Sequence, residues 1–597
     1  MTYNSTIDLV NDLEKNGHLI RIKEEVDPNL EMAAIQLRVF EQQGKAVLFE
    51  NIKGCEFQAV SNLFGTLERS KFIFRDTFEK VQQLIELKND PIKAIKSPLK
   101  NISVGLLARK AFPKKRSGLP SNFKETSIDK LPLIKCWPDD GGAFITLPQV
   151  YSEDPTNPEV MNSNLGMYRI QLNGNDYQLN KEIGVHYQIH RGIGVHQTKA
   201  NELGKPLKVS IFVGGPPANT LAAVMPLPEG ISELTFAGAL AGKKFNYTYV
   251  DGYCVATDAD FVITGEIYPN ETKPEGPFGD HLGYYSLTHE FPVMKVHKVY
   301  HRENAIWPFT VVGRPPQEDT QFGALIHELA GSAIKHEIPG VYDINAVDAA
   351  GVHPLLLAIG SERYTPYQTT KQPQELLTIA NHILGKGQLS LAKYLFISNK
   401  NDNPNLSCNN IEEFFIHILE RVDWSRDLHF QTKTTIDTLD YSGTSINQGS
   451  KVVIAAVGEV KRSLNEECKM ANGQLVMPGV VALNFKEFTT YENAKQEIAS
   501  FTSTPNTQNL EGVMLIVLCD DANFVAETLN NFLWTTFTRS NPANDIYGVD
   551  SFTEHKHWGC KGPLIIDARA KPHHAPALIK DENVENRVDE ILKGIIF

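Results

Sequence analysis

Two carboxylates, Glu275 and Asp280, lie five residues apart in the segment EGPFGDHLGYY, residues 275–285. The proline and the two glycines between them predict a tight turn, for which exposure to solvent is the ordinary interpretation. The phenylalanine and the tyrosines around the turn indicate partial burial instead. A buried carboxyl group has a raised pKa unless a cation partners it, and it can then act as a general acid.

Three other segments carry side chains that could bind a metal or an anion. NLGMYR holds Asn164 just before a predicted β-strand and Arg169 within it, a pattern that is also typical of an ordinary surface strand. HYQIHRG places His186 and His190 on one face in either a strand or a helix, so a metal site and two surface histidines both remain open. Glu233 lies in the first turn of a predicted helix, where a carboxylate commonly only complements the helix dipole.

The composition narrows the classes of function. The net charge of -13 argues against nucleic-acid binding and means that local cations must hold any anionic ligand. The first residues are polar and charged, and no long apolar run occurs, so neither a signal peptide nor a membrane helix is expected. The seven cysteines are scattered and lack a CxxC pair, which indicates reduced thiols and a cytoplasmic location.

The 597 residues are enough for several domains. Helical and extended patterns alternate over residues 1–125 and predict an N-terminal α/β domain. Short β runs separated by turn residues follow over 126–320 and favour a barrel or a sandwich. Helix–strand alternation returns over 321–460, and a second, similar α/β copy is predicted over 461–597. The expected fold class is therefore α/β, in an α+β multidomain chain.

An internal near-repeat supports the second copy. IEEFFIHILERVDWSRDL, 411–428, resembles LNNFLWTTFTRSNPANDI, 529–546, and each follows an apolar strand. Each also precedes a Gly-x-Lys segment, predicted as a turn, at Gly449 and Gly559. Duplication describes architecture and does not show that both copies are functional, and we expect the second copy to serve oligomerisation. The matching residues, 118 positions apart, are Phe414 with Phe532, Arg421 with Arg539 and Asp427 with Asp545.

The order of the segments is more specific than any one of them. N-x-x-M-Y-R, H-R-G, G-G-P-P-A, S-E-x-x-F-A-G-x-L-x-G, E-G-P-F-G-D-H-x-G-Y-Y and G-R-P-P follow one another along the chain. This order resembles the UbiD family of decarboxylases, which use prenylated FMN. DLEKNGHLIRIKEEVDPNLEMAAIQ, AVLFENIKG and KTTIDTLDYSGTSINQGSK look like the family's outer domains, so the resemblance covers close to residues 1–460. The segment KDENVENRVDEIL near the end is also similar, whereas the second copy exceeds the family's usual pattern.

The resemblance implies a split β-barrel that holds prenylated FMN. The metal ligands would be Asn164, His190 and Glu233, a mixture of amide, imidazole and carboxylate that suits Mn²⁺ or Mg²⁺ better than zinc. The ion would join the protein to the flavin phosphate, and K⁺ commonly accompanies it in the family. The cofactor contacts would be Met167, Tyr168, Arg169, His186, Tyr187, Gln188, Arg191, Gly192 and, as a phosphate ligand in the C-terminal domain, Lys393.

The resemblance also implies the catalytic set Arg169, Glu275 and Asp280. Arg169 would orient the leaving carboxylate, and Asp280 would deliver a proton to the carbon after CO₂ departs. Glu275 would hold Arg169 and tune Asp280, because two acids beside one arginine couple and one is more easily kept protonated. Aspartate rather than glutamate at 280, followed by His281, resembles the branch that acts on hydroxybenzoate-like acids of quinone synthesis, and His281 would face the substrate.

We therefore expect a reversible decarboxylase of an aromatic or α,β-unsaturated acid. Its partners would be a flavin prenyltransferase that supplies the cofactor and further copies of the chain, as a homodimer or larger assembly. Peripheral membrane association is expected only for a prenylated substrate. Two other classes stay open: a flavin oxidoreductase, against which the absence of a strand followed by GxGxxG argues, and a non-catalytic scaffold, which would have lost one of the key residues.

Overall fold

The computed structural model describes residues 2–89, 102–188, 191–227, 232–467, 470, 472–503 and 510–595. Two compact units divide the chain: Met1–Ala333 with Ala577–Phe597, and Ile334–Pro576. The predicted second copy, 461–597, thus ends with a segment that returns to the first unit. The four-domain division itself stays a prediction.

The regular elements alternate along the whole chain. The α-helices are α1 (Thr6–Lys15), α2 (Glu31–Glu41), α3 (Leu67–Ile73), α4 (Phe78–Asn89), α5 (Ile102–Ala111), α6 (Gly192–Glu202), α7 (Pro217–Val224), α8 (Glu233–Ala241), α9 (Glu318–Glu337), α10 (Glu375–Leu384), α11 (Ile411–Arg421), α12 (Tyr491–Thr502), α13 (Ala522–Glu527), α14 (Leu529–Thr538), α15 (Pro542–Asp545) and α16 (Glu582–Ile591).

The strands of the first unit are β1 (Leu19–Val26), β2 (Ala46–Ile52), β3 (Gln58–Ser61), β4 (Lys114–Lys115), β5 (Phe123–Thr126), β6 (Phe144–Ile145), β7 (Gln149–Glu153), β8 (Ser163–Gly166), β9 (Ile170–Gln171), β10 (Glu182–Val185), β11 (Leu207–Val213), β12 (Asn246–Val250), β13 (Tyr253–Ala256), β14 (Phe261–Glu275), β15 (Phe278–Gly279), β16 (Tyr285–Ser286), β17 (His289–Arg302) and β18 (Ile306–Pro308). Those of the second unit are β19 (Asp343–Ala346), β20 (Leu355–Gly360), β21 (Tyr394–Asn399), β22 (Leu428–Thr434), β23 (Gly449–Ala456), β24 (Gly473–Met477), β25 (Val480–Asn484), β26 (Leu515–Cys519), β27 (Ile546–Gly548), β28 (Ser551–Glu554), β29 (His557–Cys560) and β30 (Leu564–Asp567).

The N-terminal α/β elements form as predicted. Helix α1 follows Ser5 and ends before Gly17, whose φ of +77° allows the chain to turn away. Strands β1, β2, β3 and β18 make a four-stranded sheet in that order. Helix α16 joins this part of the first unit, because Arg38 of α2 pairs with Glu585 at 2.6 Å and Val588 enters the same apolar core.

The centre of the first unit is an open, antiparallel sheet of nine strands. Its order is β6-β9-β10-β17-β14-β11-β7-β8, with β5 also paired to β17. The sheet ends at β6 and at β8, so it is a barrel that has not closed, as the resemblance implied. Alternate residues of its long strands fill the core, among them Ile211, Ile263 and Met294, which are fully buried.

Two short segments differ from their predicted structure. Asn164 lies inside β8, and Met167–Arg169 connect β8 to β9 instead of forming a strand. This connection runs from the last strand at one end of the open sheet to the second strand from the other end. Residues 186–188 follow the end of β10 and are neither strand nor helix. The alternation of MYR and HYQ resembles a strand, but both segments lie in connections between strands.

The second unit contains the predicted duplication. Two five-stranded sheets, β19-β20-β21-β23-β22 and β24-β25-β26-β30-β27, have the same topology, with parallel central strands and antiparallel edges. Helix α11 follows β21, and α14 follows β26. The matched residues occupy matching places, because Phe414 and Phe532 are fully buried and so are Asp427 and Asp545.

The two copies contact each other reciprocally. The Cys560 N–H of the second copy donates to the Trp424 carbonyl oxygen of the first at 3.2 Å, and the Ser450 N–H of the first donates to Asn541 Oδ1 of the second at 2.9 Å. These contacts involve the two Gly-x-Lys segments, whose prediction as turns was wrong. Gly449 begins β23, where it pairs with Thr434 of β22, and Gly559 lies in β29, where it pairs with Phe552 of β28.

Candidate active site

Arg169 lies between two carboxylates in the connection from β8 to β9. Its Nε and Nη2 donate to Glu275 Oε1 and Oε2 at 2.9 and 2.7 Å, and its Nη1 donates to Asp280 Oδ2. Nη2 also reaches Ser286 Oγ at 2.8 Å, and the guanidinium carbon lies 4.8 Å from the centre of the Phe278 ring. The exposed fractions of the three charged side chains are 8% for Arg169, 0% for Glu275 and 9% for Asp280. The structure therefore brings together the three residues predicted for catalysis.

Glycines at close approaches shape the turn between the two acids. Glu275 is the last residue of β14, and Gly276 turns the chain with a φ of +92°. A Cβ on Gly141 would lie 2.2 Å from the Gly276 carbonyl oxygen, so only glycine at 141 permits this packing. The Gly141 N–H donates to the Pro277 carbonyl oxygen at 2.7 Å and fixes the approach. The turn is therefore buried and braced rather than solvated.

Both carboxylates are ionised in this arrangement. Burial opposes the charge of Glu275, but Arg169 and the hydrogen bonds to Glu275 outweigh it and hold its pKa at about 2. Burial also opposes the charge of Asp280, whose pKa is nonetheless lowered by hydrogen bonds from His281 and by Arg169. The expectation that one acid stays protonated is wrong here, because a single guanidinium stabilises both anions. His281 lies beside Asp280, with its Nδ1 2.9 Å from Asp280 Oδ1.

Two more residues support this set: His186, which the sequence predicts only as a metal or cofactor contact, and Asp140, which it does not single out. His186 Nδ1 lies 3.1 Å from Glu275 Oε2. Asp140 Oδ1 accepts the N–H of Gly279, the residue before Asp280, at 2.7 Å. Asp140 Oδ2 accepts two more backbone N–H groups, although burial raises its pKa to about 6. The adjacent acids and glycines of PDDGG are the only sequence signal for Asp140.

Of the residues predicted for metal and phosphate, Asn164, Arg191 and Glu233 lie around Tyr168. The Tyr168 hydroxyl donates to Asn164 Oδ1 at 3.2 Å, and the charges of Arg191 and Glu233 both act on its pKa. A Cβ on Gly192 would lie 2.2 Å from Asn164 Oδ1, so the start of α6 approaches Asn164 closely. Tyr168 and Arg169 are neighbours in the connection from β8 to β9, so this connection joins the two groups of residues.

Unsatisfied polar atoms in this second group accommodate an ion. Asn164 Nδ2, Ser232 Oγ and Thr235 Oγ1 are buried without a hydrogen-bond partner among the described residues. Burial raises the pKa of Glu233. Hydrogen bonds from the backbone N–H groups of Glu233 and Leu165 lower that pKa by less than burial raises it. A divalent cation would stabilise this carboxylate and use the amide oxygen beside it. The donor set therefore fits Mn²⁺ or Mg²⁺.

The remaining predicted contacts are spread over the barrel and the second unit. His190 lies outside the described residues. Met167 and Gln188 are half-buried, and the hydroxyl of Tyr187 donates to Gln197 Oε1. Lys393 lies in the second unit, where its fully buried ammonium contacts Asp440 at 2.7 Å and Ser442 at 2.7 Å. Its contact with a flavin phosphate stays a prediction.

Three family models match consecutive parts of the chain. They describe the N-terminal domain, the Rift-related domain and the C-terminal domain of 3-octaprenyl-4-hydroxybenzoate carboxy-lyase, and they match residues 10–88, 114–315 and 320–456. The chain belongs to the UbiD family. Membership identifies it as a carboxy-lyase, and the central match coincides with the open nine-stranded sheet. The second copy lies beyond the third match.

Relatives and solved structures agree with this UbiD assignment. A Chlamydia pneumoniae protein named as part of a 4-hydroxybenzoate decarboxylase is 37% identical over 96% of this chain and 95% of its own length. The vanillic acid decarboxylase of Sedimentibacter hydroxybenzoicus in its closed form has a TM-score of 0.64 at 23% identity, covering 84% of this chain and 100% of that one. At such identity the likeness concerns the fold.

A second similar structure is that of the UbiD-class enzyme HmfF from Pelotomaculum thermopropionicum. Its complex with FMN has a TM-score of 0.57 at 20% identity, covering 83% of this chain and 100% of that chain. An evolved dimeric form of HmfF in complex with prenylated FMN has a TM-score of 0.55 at 20% identity, covering 76% of this chain and 95% of that chain.

Among the described residues of the present chain, no helix combines the length and apolar character needed to cross a bilayer.

Proposed function

We propose that this UbiD-family chain reversibly removes CO₂ from a hydroxybenzoate-like aromatic acid or an α,β-unsaturated acid. The observation that carries the proposal is the buried Arg169, held by Glu275 on one edge and by Asp280 on another. An arginine binds a carboxylate through paired N–H groups, and a neighbouring acid is the group that a proton transfer to carbon requires.

Prenylated FMN, when bound, would supply the electron sink that C–CO₂ cleavage requires and that side chains do not offer. Asn164 and Glu233, together with His190, would hold Mn²⁺ or Mg²⁺ against its phosphate, and Arg191 would add a positive charge there. The buried, unsatisfied hydroxyl oxygens of Ser232 and Thr235, close to Glu233 in the sequence, support this assignment. K⁺ and a flavin prenyltransferase as the cofactor's source belong to the same proposal.

The chain's own residues would bind the substrate and move one proton. The substrate carboxylate would take the Nη1 edge of Arg169, which Asp280 occupies in the structure. Once Asp280 loses that cation, burial raises its pKa, and the carboxyl takes up a proton. Asp280 would then deliver this proton to the carbon that has lost CO₂. Glu275 keeps Arg169 in place throughout, because it holds the opposite edge.

The substrate proposed first is a hydroxylated benzoate. Asp280 is shorter than a glutamate by one methylene, and His281 beside it offers a polar group to a ring hydroxyl. The Chlamydia pneumoniae relative is named for 4-hydroxybenzoate, and the Sedimentibacter hydroxybenzoicus enzyme for vanillic acid. Both names describe benzoates with an oxygen substituent, which supports this choice over an unsaturated aliphatic acid.

The test is co-expression with a flavin prenyltransferase, followed by incubation with a panel of benzoates and unsaturated acids. Loss of CO₂ is measured by mass spectrometry. We expect turnover of at least one hydroxybenzoate by the loaded wild-type protein and none by protein that carries FMN alone. Bleaching of the flavin by NADH with no CO₂ release from any acid would instead indicate an oxidoreductase. The mass of the protein in solution tests the proposed homo-oligomer.

A further inference from the structure

His186 contacts Arg169 and the carboxylate that holds Arg169. Its backbone N–H donates to the Arg169 carbonyl oxygen at 3.2 Å, one residue past the end of β10. Its Nδ1 lies 3.1 Å from Glu275 Oε2, the oxygen that also accepts from Arg169 Nη2. The imidazole packs on Phe291 of β17, with 4.1 Å between the ring centres, and the residue is only 5% exposed.

The geometry fixes the proton on the imidazole. An ionised carboxylate only accepts hydrogen bonds, so His186 Nδ1 must carry the hydrogen. His186 Nε2 is buried without a partner among the described residues, and a proton there would be a buried donor with no acceptor. Burial lowers the pKa of His186, in agreement with a neutral ring. His186 therefore gives Glu275 a hydrogen bond without adding a charge.

We propose that His186 is a positioning residue that orients the Glu275 carboxylate so that both of its oxygens face the Nε and Nη2 edge of Arg169. Arg169 Nη1 is then the edge directed toward Asp280 and, during turnover, toward the substrate carboxylate. This inference rests on the proposed function for its effect on turnover. It differs from the implied role of His186 as a cofactor contact, because its side chain is committed to Glu275.

The titratable groups around this contact come from several elements of the first unit. Arg169 and Asp280 act on His186 together with Glu275. His289 at the start of β17 and the buried Tyr177 both respond to the charge of Glu275. Arg169 is the cation that is bonded to Glu275, so loss of the His186 N–H leaves the ion pair in place but less constrained.

Two variants separate the hydrogen bond from the packing. His186→Phe keeps a ring against Phe291 and removes the N–H, whereas His186→Asn keeps an N–H near the position of Nδ1 and removes the ring. His297→Phe is the matched control, because His297 lies on β17 at the surface and contacts Asp251. We expect His186→Phe to raise KM at least tenfold with unchanged flavin absorbance, His186→Asn to recover most of that loss, and His297→Phe to match the wild type.

A second readout needs no turnover. Without the His186 N–H, the pKa of Glu275 rises toward its ordinary value, so less stability is lost between about pH 5 and pH 2. Both variants lack the titrating imidazole, so the deficit in thermal midpoint of His186→Phe relative to His186→Asn should narrow as the pH falls through that range. A constant deficit, or equal impairment of His186→Phe and His186→Asn, would overturn the proposal. Absence of turnover in the wild type would overturn the proposed function alone.

Discussion

Glu275 holds Arg169 through both carboxylate oxygens, at 2.9 Å from Nε and 2.7 Å from Nη2, in a place where Glu275 has no exposed surface. Two parallel hydrogen bonds fix the plane of the guanidinium as well as its position. The Nη1 edge faces a second anion, Asp280. A substrate carboxylate that replaced Asp280 would therefore bind Arg169 at Nη1.

Replacement of Glu275 by glutamine should release Arg169. The amide keeps the volume but loses the charge and one acceptor, so the guanidinium is no longer fixed. We expect kcat/KM to fall by about 100-fold or more, because small misplacements of a binding group have effects of this size. Glu290→Gln is the control, since Glu290 is exposed on the neighbouring strand. Steady-state kinetics of the loaded enzyme measure the change, and equal kcat/KM in both variants would refute the role of Glu275.

The pKa of Glu275 also predicts how stability changes with pH. A folded-state pKa of about 2, against an ordinary value of 4.5, stabilises the fold above about pH 4.5. The stabilisation of about 3 kcal/mol is lost as the pH falls toward 2. The wild type should thus lose its advantage over Glu275→Gln across this range in thermal unfolding followed by fluorescence. A difference in thermal midpoint that stays constant with pH would show that the neighbours of Glu275 do not lower its pKa.

Asp140 should prove essential for placing Asp280. Its carboxylate accepts three backbone N–H groups, one of them from Gly279. In Asp140→Asn, the amide presents N–H to at least one of these donors and leaves it unsatisfied, at a cost of about 1–3 kcal/mol. We expect kcat to fall by about 10- to 100-fold. The neighbouring Asp139→Asn is the control, because Asp139 is exposed. If both variants had wild-type kcat, Asp140 would be only a structural residue.

The contact of Arg169 with Glu275 and Asp280 could be predicted from the sequence because the three residues lie in segments with a recognisable order. Arg169 and Glu275 are 106 positions apart, and only the resemblance connects them before the fold is known. His186 and Asp140 could not be predicted in the same way. Their roles depend on contacts across the barrel, such as the bond between Asp140 and Gly279 at a separation of 139 residues, and local patterns do not record such contacts.

The sheet and the duplication were predictable for a different reason. Long alternating runs such as FVITGEIYP and FPVMKVHKVYHR follow the period of a strand over many residues, and they form β14 and β17. MYR and HYQ have the same alternation over three residues, which is too short to decide. In the structure they lie outside the strands, MYR in the connection from β8 to β9 and HYQ after the end of β10. The direction of the Asp280 pKa was also unpredictable, because it depends on the hydrogen bond from His281 and on an arginine that serves two acids.

The second copy should not be removable as a separate module. Phe415 of the first copy contacts Phe532 and Phe537 of the second, each with 6.0 Å between ring centres, within one shared apolar core. Phe537→Ala should lower the stability of the second unit by about 3–5 kcal/mol. Exposed Phe112→Ala is the control. Limited proteolysis followed by mass spectrometry should show faster cleavage within the first copy, residues 334–460, in Phe537→Ala, whereas faster cleavage confined to residues 461–576 would indicate independent copies.

The most direct test of the account follows the proton. The enzyme loaded with prenylated FMN is incubated with hydroxybenzoates in D₂O, and CO₂ and the isotopic composition of the product are measured together. We expect the wild type to release CO₂ and to place one deuterium on the vacated carbon. Asp280→Asn should do so at least about 100-fold more slowly while its flavin absorbance is unchanged. Release of CO₂ at the wild-type rate by Asp280→Asn would contradict the assignment of the proton donor, and a loaded wild type that releases none from any acid would contradict the proposed function.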